Sequence, residues 1–271
     1  MDMHEGDRGI SMVREALTER AGRGLVAVMA ATLLAGAGSG ARAQVGPLAP
    51  RWLAGTPTPP VETFTDGLAR HHIAPAEKAL LAALEEPDGE VRSLAAAQLA
   101  AMDDHPALPA ITRALDNERD PQVQVNLAGA ATWLGSQHGL DQLQLFCANT
   151  NMPSAARLDA ARYVSNRELA TCFPAIEQIE RTEQDASVRL LAIQAAVDYR
   201  GQQDKAQSLA VAALADLDPA VRIAAADALR SLHATGAIGT LSAALQVEGD
   251  DTVREHLREA IRMLRLRDEA H

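Results

Sequence analysis

Apolar positions in the second half of this chain recur at helical spacing. In the stretch Asp216 to Leu232, DLDPAVRIAAADALRSL, residues Val221, Ala224, Ala225, Ala228, Leu229 and Leu232 fall at offsets of 3, 4, 7, 8 and 11 from the valine. Those offsets place them on one face of a 3.6-residue helix. Asp218 followed by Pro219 predicts the helix start: an aspartate N-cap accepts hydrogen bonds from free amides, and proline is tolerated at the first helical position. Most of the apolar face is alanine, which lets neighbouring helices approach closely, while Leu229 and Leu232 supply bulk. Truncating such a buried leucine to alanine typically costs ~2 to 5 kcal/mol.

Aligned on the valine, the same pattern begins at Val91, Val123, Ala156, Val188, Val221 and Val253, in steps of 32, 33, 32, 33 and 32 residues. Each copy has an apolar segment upstream: Leu80 to Leu84, Leu108 to Leu115, Leu140 to Cys147, Phe173 to Ile179, Leu209 to Leu214 and Ile238 to Leu245. The unit is therefore a helical hairpin. Two short helices cannot bury both faces alone, so the hairpins must stack and draw their stability from their neighbours. The expected fold is all-α, a right-handed α-solenoid of about six helical hairpins with a period of 32–33 residues.

The D-P-x-V-R-x-x-A-A-x-A-L pattern resembles the short HEAT-like repeat of the phycobilisome-lyase type, over about residues 76 to 267. The T-P-L-H of ankyrin repeats and the tryptophan, glycine and tyrosine pattern of tetratricopeptide repeats are absent. Repeat three departs most, with Ala156 for the valine and Met152 and Pro153 where Asp and Pro stand elsewhere. Two enzyme classes come with the resemblance. HEAT-like deoxyhypusine hydroxylases bind iron through paired His-Glu dipeptides, and beyond residue 43 no histidine here is followed by glutamate. Phycobilin lyases are the other, and nothing in this aromatic-poor chain selects a tetrapyrrole.

Composition agrees with an alanine-rich helical protein: 271 residues, 47% hydrophobic and only 3% aromatic. The repeat predicts one elongated domain. Residues 1–43 read as a targeting segment, with Arg20 and Arg23 before an apolar run from Leu25 to Ala35 and an A-x-A site at Ala41 to Ala43. The run is short and glycine-rich for a membrane span, so the expectation is cleavage after Ala43, a periplasmic or secreted product and no stable membrane insertion. Met12 would be the more ordinary start. Residues 44–63 hold five prolines and read as an extended leader. Glu62 to Ile73 is a candidate capping helix at one end, and the charged Thr252 to Asp268 caps the other, leaving 64–271 as the solenoid with its caps.

The segment before the cleavage site carries five basic and five acidic residues, so the mature chain keeps the net charge of -11. Such a chain, without a basic stripe, is a poor ligand for nucleic-acid phosphates or an anionic membrane. Neutral or cationic protein partners fit better.

Candidate chemistry is sparse. The repeated Asp120, Asp185 and Asp218 with Arg92, Arg157, Arg189, Arg222 and Arg254 read as structure, an Asp cap and an Arg of the same or adjacent unit forming a ladder of charge-assisted hydrogen bonds. His72, His105 and His138, 33 residues apart, are expected in the same turn of successive units. Stacked helices lie ~8 to 10 Å apart, too far for one ion to take all three, so turn histidines are the expectation rather than a metal row. An exported chain permits a disulfide between Cys147 and Cys172, its two cysteines. Parallel first helices would, however, offset these thiols by about seven residues, ~10 Å at 1.5 Å per residue, which favours two separate buried thiols.

Trp133 stands ten residues past its valine, where other repeats carry Ala101, Asn166, Asp198, Ser231 and Met263. It reads either as an interface anchor or as a filler beside the irregular third repeat. Six past the valine the residues vary as Ala97, Gly129, Arg162, Gln194, Asp227 and Glu259, which predicts a solvent-facing, concave second-helix surface. Tyr163 and Tyr199 are assigned to the core. Taken together, the residues predict a non-enzymatic, cofactor-free scaffold that holds a protein or peptide through Trp133, Arg162, Asp198 and Arg230. The alternative is a cofactor- or metal-binding enzyme of the HEAT-like lyase type.

Overall fold

The computed structural model describes residues 64–165 and 170–269. The expected targeting segment 1–43, the leader 44–63 and Asn166 lie outside the described residues. Among those described the regular structure is entirely helical. A short helix α1 (Phe64–Arg70) precedes six hairpins: α2 (Glu77–Ala83) with α3 (Gly89–Ala101), α4 (Leu108–Asn117) with α5 (Pro121–Trp133), α6 (Gln137–Ala148) with α7 (Ser154–Ser165), α8 (Phe173–Thr182) with α9 (Ala186–Val197), α10 (Gln203–Ala213) with α11 (Pro219–Ser231), and α12 (Ile238–Val247) with α13 (Asp251–Asp268). These are the helices that the 32–33-residue pattern predicts, and the repeats make the chain an α-solenoid.

The chain divides into two compact units at Leu140 and Asp141, inside repeat three. In the first, α1 and α5 both pack against α3; in the second, α7 packs on α9, α9 on α11 and α11 on α13. Successive second helices thus build each core from the small residues the sequence marks. Ala95, Ala96, Ala128, Ala161, Ala192, Ala225 and Ala226 are completely buried.

Five of the six second helices start on an aspartate, α7 of repeat three being the exception. The Asp88, Asp120, Asp185, Asp218 and Asp250 carboxylates accept from amides two residues on, at 2.8–2.9 Å, which satisfies amides that the helix leaves free. The helices end on a left-handed residue. His72, Asp103, Gly135, Gly201 and His233 have φ between +57° and +88°, at matching places between one hairpin and the next. After each of His72, Asp103, Gly135 and His233 the next amide bonds to the carbonyl five residues back, as in Ala234 to Leu229 at 3.0 Å. In three of five places a residue with a Cβ occupies a conformation that favours glycine.

The arginine after the valine does two jobs. Arg222 donates Nη1 to the Asp216 and Leu217 carbonyls at 2.9 and 3.1 Å, closing the end of its own hairpin's first helix. Its Nε and Nη2 form a fork on Glu248 of the next hairpin, at 2.7 and 2.9 Å. Arg189 repeats this with the Glu183 and Gln184 carbonyls and a fork on Asp216, and Arg92 with the Glu86 and Pro87 carbonyls and Glu118. The ladder therefore exists, but its acid is not the N-cap. Glu118, Asp216 and Glu248 stand two residues before the caps Asp120, Asp218 and Asp250, and each also accepts the cap residue's amide. An N-cap carboxylate is committed to its own helix start, which leaves the preceding acid to meet the guanidinium. Arg157 departs from the pattern, donating to the Cys147 carbonyl and to Gln178, each at 3.0 Å.

Glu248 is pulled to a pKa of about 2, chiefly by the Arg222 hydrogen bonds against the opposing effect of burial. A carboxylate held below its unfolded value contributes stability that is complete above its ordinary 4.5 and is lost as pH falls through about 2. The wild type should therefore lose stability on acidification through this window more steeply than Glu248→Gln, measured by urea unfolding at several pH values. At neutral pH Arg222→Ala, which strands a largely buried carboxylate and two carbonyls, should cost about 3 kcal/mol. For the helix ends, His233→Gly should raise the melting temperature, while Gly135→Ala should cost about 1 kcal/mol, both read by thermal unfolding.

Candidate functional site

The second-helix face of the second unit carries the polar side chains that the core does not explain. Arg162 emerges from α7 with its side chain only 12% exposed, and its Nε is buried without a hydrogen-bond partner. Asp198, which ends α9, holds a carboxylate oxygen 4.0 Å from that nitrogen and is half exposed. One step on, Asp227 of α11 accepts from Arg230 at 3.4 Å, and His256 Nδ1 of α13 lies 3.3 Å from its other oxygen. Glu259 and Arg262 form an exposed pair on the same helix. Glu259 is held below the usual carboxylate range first by the Arg262 hydrogen bonds, with Arg230 adding a smaller attraction. The result is a row of alternating charge running across α7, α9, α11 and α13. Such a row offers shape and paired charge to a partner; no nucleophile with an adjacent base sits in it.

Three of the four sequence-derived contacts, Arg162, Asp198 and Arg230, belong to this row. Trp133 lies in the first unit, where it is the last residue of α5 and half-buried. Its column is exposed at Ala101, Asp198, Ser231 and Met263, whereas Asn166 lies outside the described residues.

The expectation that the position six past the valine faces solvent needs correction. Ala97 and Gly129 are buried, Arg162, Gln194 and Asp227 are half-buried, and only Glu259 is exposed. Variation along this column reflects how tightly adjacent second helices approach, small residues in the first unit and long ones in the second. Asp227 and His256 were not singled out by sequence, because they lie 29 residues apart, off the repeat period, and meet only through the packing of α11 on α13.

Of the three histidines expected in turns only His72 stands in one, His105 opening a 3-10 helix (His105–Ala107), and the three are not in one register. His72 is itself the left-handed helix end, His105 follows the left-handed Asp103 by two residues, and His138 follows Gly135 by three, in the first turn of α6. They have separate partners: His105 Nδ1 lies 3.2 Å from the Leu134 carbonyl, and His138 Nε2 is 2.9 Å from Asp116. Among the described residues no three His, Cys, Asp or Glu side chains gather as a metal site. Tyr163 and Tyr199 are both buried. The Tyr199 hydroxyl donates to the Ala161 carbonyl at 2.6 Å, and its ring meets Phe173 edge-on. Burial pushes both phenols well above their ordinary range.

Cys147 and Cys172 form a disulfide, with Cα atoms 5.7 Å apart. The expectation of separate thiols assumed that first helices stand parallel and in register. That fails at repeat three, since residues seven positions apart in the repeat frame are brought together. Cys172 stands not within α8 but ahead of it, as its N-cap after a short 3-10 turn (Ala170–Cys172). The bridge joins the hairpins at the step where Arg157 is diverted from an acidic partner.

The chain matches the family model for HEAT repeats over residues 77–164 and 173–262, and it belongs to that family. Among solved structures it is similar to an engineered protein, 23% identical, with 70% of this chain and 96% of that chain covered and a TM-score of 0.41. It is also similar to human deoxyhypusine hydroxylase in complex with glycerol, 20% identical, covering 74% and 76% of the two chains at a TM-score of 0.39. No curated protein matches the chain.

A cross-link closing a loop of 25 residues is worth about 3 kcal/mol in the chain-entropy account. Cys147→Ser with Cys172→Ser should lower stability by that order in denaturant unfolding. Reduction of the wild type should bring its unfolding curve onto that of the double variant.

Proposed function

We propose that this chain is a non-enzymatic interaction scaffold of the bacterial periplasm, and that it holds a protein or peptide on its second-helix surface through Trp133, Arg162, Asp198 and Arg230. The reading is carried by Arg162, a nearly buried guanidinium whose Nε has no hydrogen bond and whose nearest carboxylate oxygen stands 4.0 Å away. An unmade hydrogen bond costs about 1–3 kcal/mol, so a partner that drew the Arg162 side chain outward could supply the acceptor its Nε lacks. The neighbouring Glu259–Arg262 pair is about half exposed, able to exchange an internal partner for an external one at little cost. Membership of the HEAT-repeat family supports a stacked-hairpin surface of this kind, and repeat proteins use such extended surfaces for binding.

Two observations support the compartment. The basic, apolar and A-x-A succession of residues 1–43 has the form of a cleavable export signal. The Cys147–Cys172 disulfide is a bond that persists in an oxidising compartment such as the periplasm. Among the described residues no helix is long and apolar enough to cross a membrane.

The test is a crosslinking capture from envelope extract with the wild type beside a variant carrying alanine at Trp133, Arg162, Asp198 and Arg230. The expected result is a discrete protein captured by the wild type and lost by the variant, with both preparations free of stoichiometric metal or pigment by elemental and absorbance analysis. Capture unchanged in the variant would remove the site. A stoichiometric metal or chromophore in the purified protein would instead establish the cofactor-binding alternative. N-terminal sequencing of the product from the periplasmic fraction should begin at Gln44.

A further inference from the structure

The last hairpin breaks the repeat in a way the second-helix surface does not use. Five residues past the valine, repeats one to five carry Ala96, Ala128, Ala161, Ile193 and Ala226, all at 0–1% exposure. Repeat six carries Arg258 there, and it is exposed. Eight before the same position stand Ala83, Leu115, Glu180 and Ala213, each buried, and Ala148, exposed, while Leu245 is half covered. The five-past position, closed in every other repeat, is thus open between α12 and α13, where Arg258 and Leu245 line a groove of about 530 Å³ with Ile261, Arg262, Arg265 and Leu266.

Arg258, Ile261, Arg262 and Arg265 follow helical spacing, so they form one stripe of α13. Ile261 borders the stripe that buries Val253, Leu257, Ala260 and Leu264 in the core and is itself only 7% exposed, whereas the three arginines are exposed. A face needed only for solubility would be polar throughout. This one keeps a half-covered Leu245 and a 53% exposed Leu266, with the buried Ile261 between them, beneath guanidinium groups. Arg262 is paired with Glu259. By contrast, Arg258 and Arg265 have no acidic partner among the described residues, whereas Arg92, Arg189 and Arg222 each have one.

We infer that this groove docks an acidic amphipathic helix of a partner protein, its apolar stripe on Leu245 and Leu266 and its carboxylates on Arg258 and Arg265. A helix is the element that fits, since stacked hairpins accept helices at ~8–10 Å between axes. Carboxylates are the groups that arginines recognise with a matching fork. A second copy of this chain docking groove to groove would set arginine against arginine. The net charge of -11 opposes an acidic partner overall, so recognition of one rests on the local arginines of this end, an exception to the preference for neutral or cationic partners that the charge balance predicts.

The probe is a fluorescein-labelled peptide of roughly four helical turns, with a leucine stripe flanked by glutamates, beside the same peptide with lysines for the glutamates. Anisotropy titrations use the full mature chain, wild type and Arg258→Ala with Arg265→Ala, both positions exposed and the fold checked by circular dichroism. The glutamate peptide should bind the wild type, the double variant should bind it at least ~10-fold more weakly, and Leu266→Ser should weaken it independently of charge. Binding should also weaken as added salt shortens the Debye length below ~10 Å. The variant altered at Trp133, Arg162, Asp198 and Arg230 should bind the peptide as the wild type does, which separates this groove from the second-helix surface. Equal affinity for the lysine peptide, or equal affinity of the double variant, would overturn the assignment. So would a concentration-dependent self-association of the wild type that the double variant abolishes, since a second copy would then be the occupant.

Discussion

The fork between an arginine of one hairpin and a carboxylate of the next is the contact on which the regularity of the stack depends. A helical hairpin this rich in alanine has little bulk with which to fix its neighbour's position, and small side chains slide past one another more readily than interlocking large ones. The fork supplies what the core lacks. Arg222 binds the end of its own first helix through one nitrogen and Glu248 through the other two, while Glu248 also accepts the amide that begins the following helix. Helix end, helix start and the step between hairpins are fixed by a single charged group.

Where that fork is missing, the chain behaves differently. Gln124 stands in the arginine position of repeat two and reaches only the Glu118 carbonyl, and the division between the two compact units falls shortly beyond it. In repeat three Arg157 is present but turns to Cys147 and Gln178, and a disulfide joins that hairpin to repeat four. The Tyr199 hydroxyl, bonded to the Ala161 carbonyl across the same step, adds a second long-range tie. Covalent and aromatic contacts thus replace the electrostatic one at the step where the repeat pattern is least regular.

The two surfaces proposed for binding arise from departures of the same kind. A column of small buried residues defines close helix approach, and each long polar residue entering such a column becomes either a row of paired charge, as at Arg162 and Asp227, or an open arginine groove, as at Arg258. Both proposed surfaces therefore fall where a repeat stops matching its neighbours.

Much of this was legible in the sequence. The six hairpins, the aspartate starts of five of them and the apolar face of each helix follow from spacing alone, because helical periodicity and capping are local properties of the chain. The partner of each arginine was not, since two acids lie within two residues of one another and only the packed geometry decides which is free after capping its helix. The disulfide was misjudged for a related reason: the offset of Cys147 and Cys172 was inferred from an ideal register, and register is set by contacts between hairpins rather than by residues within one. Likewise Ala97 and Gly129 share a sequence column with Glu259 but not its exposure, and Asp227 meets His256 off the period. Sequence determined what each repeat is; the tertiary structure decided how far each step between repeats departs from the ideal, because that depends on side chains some thirty residues apart meeting in space.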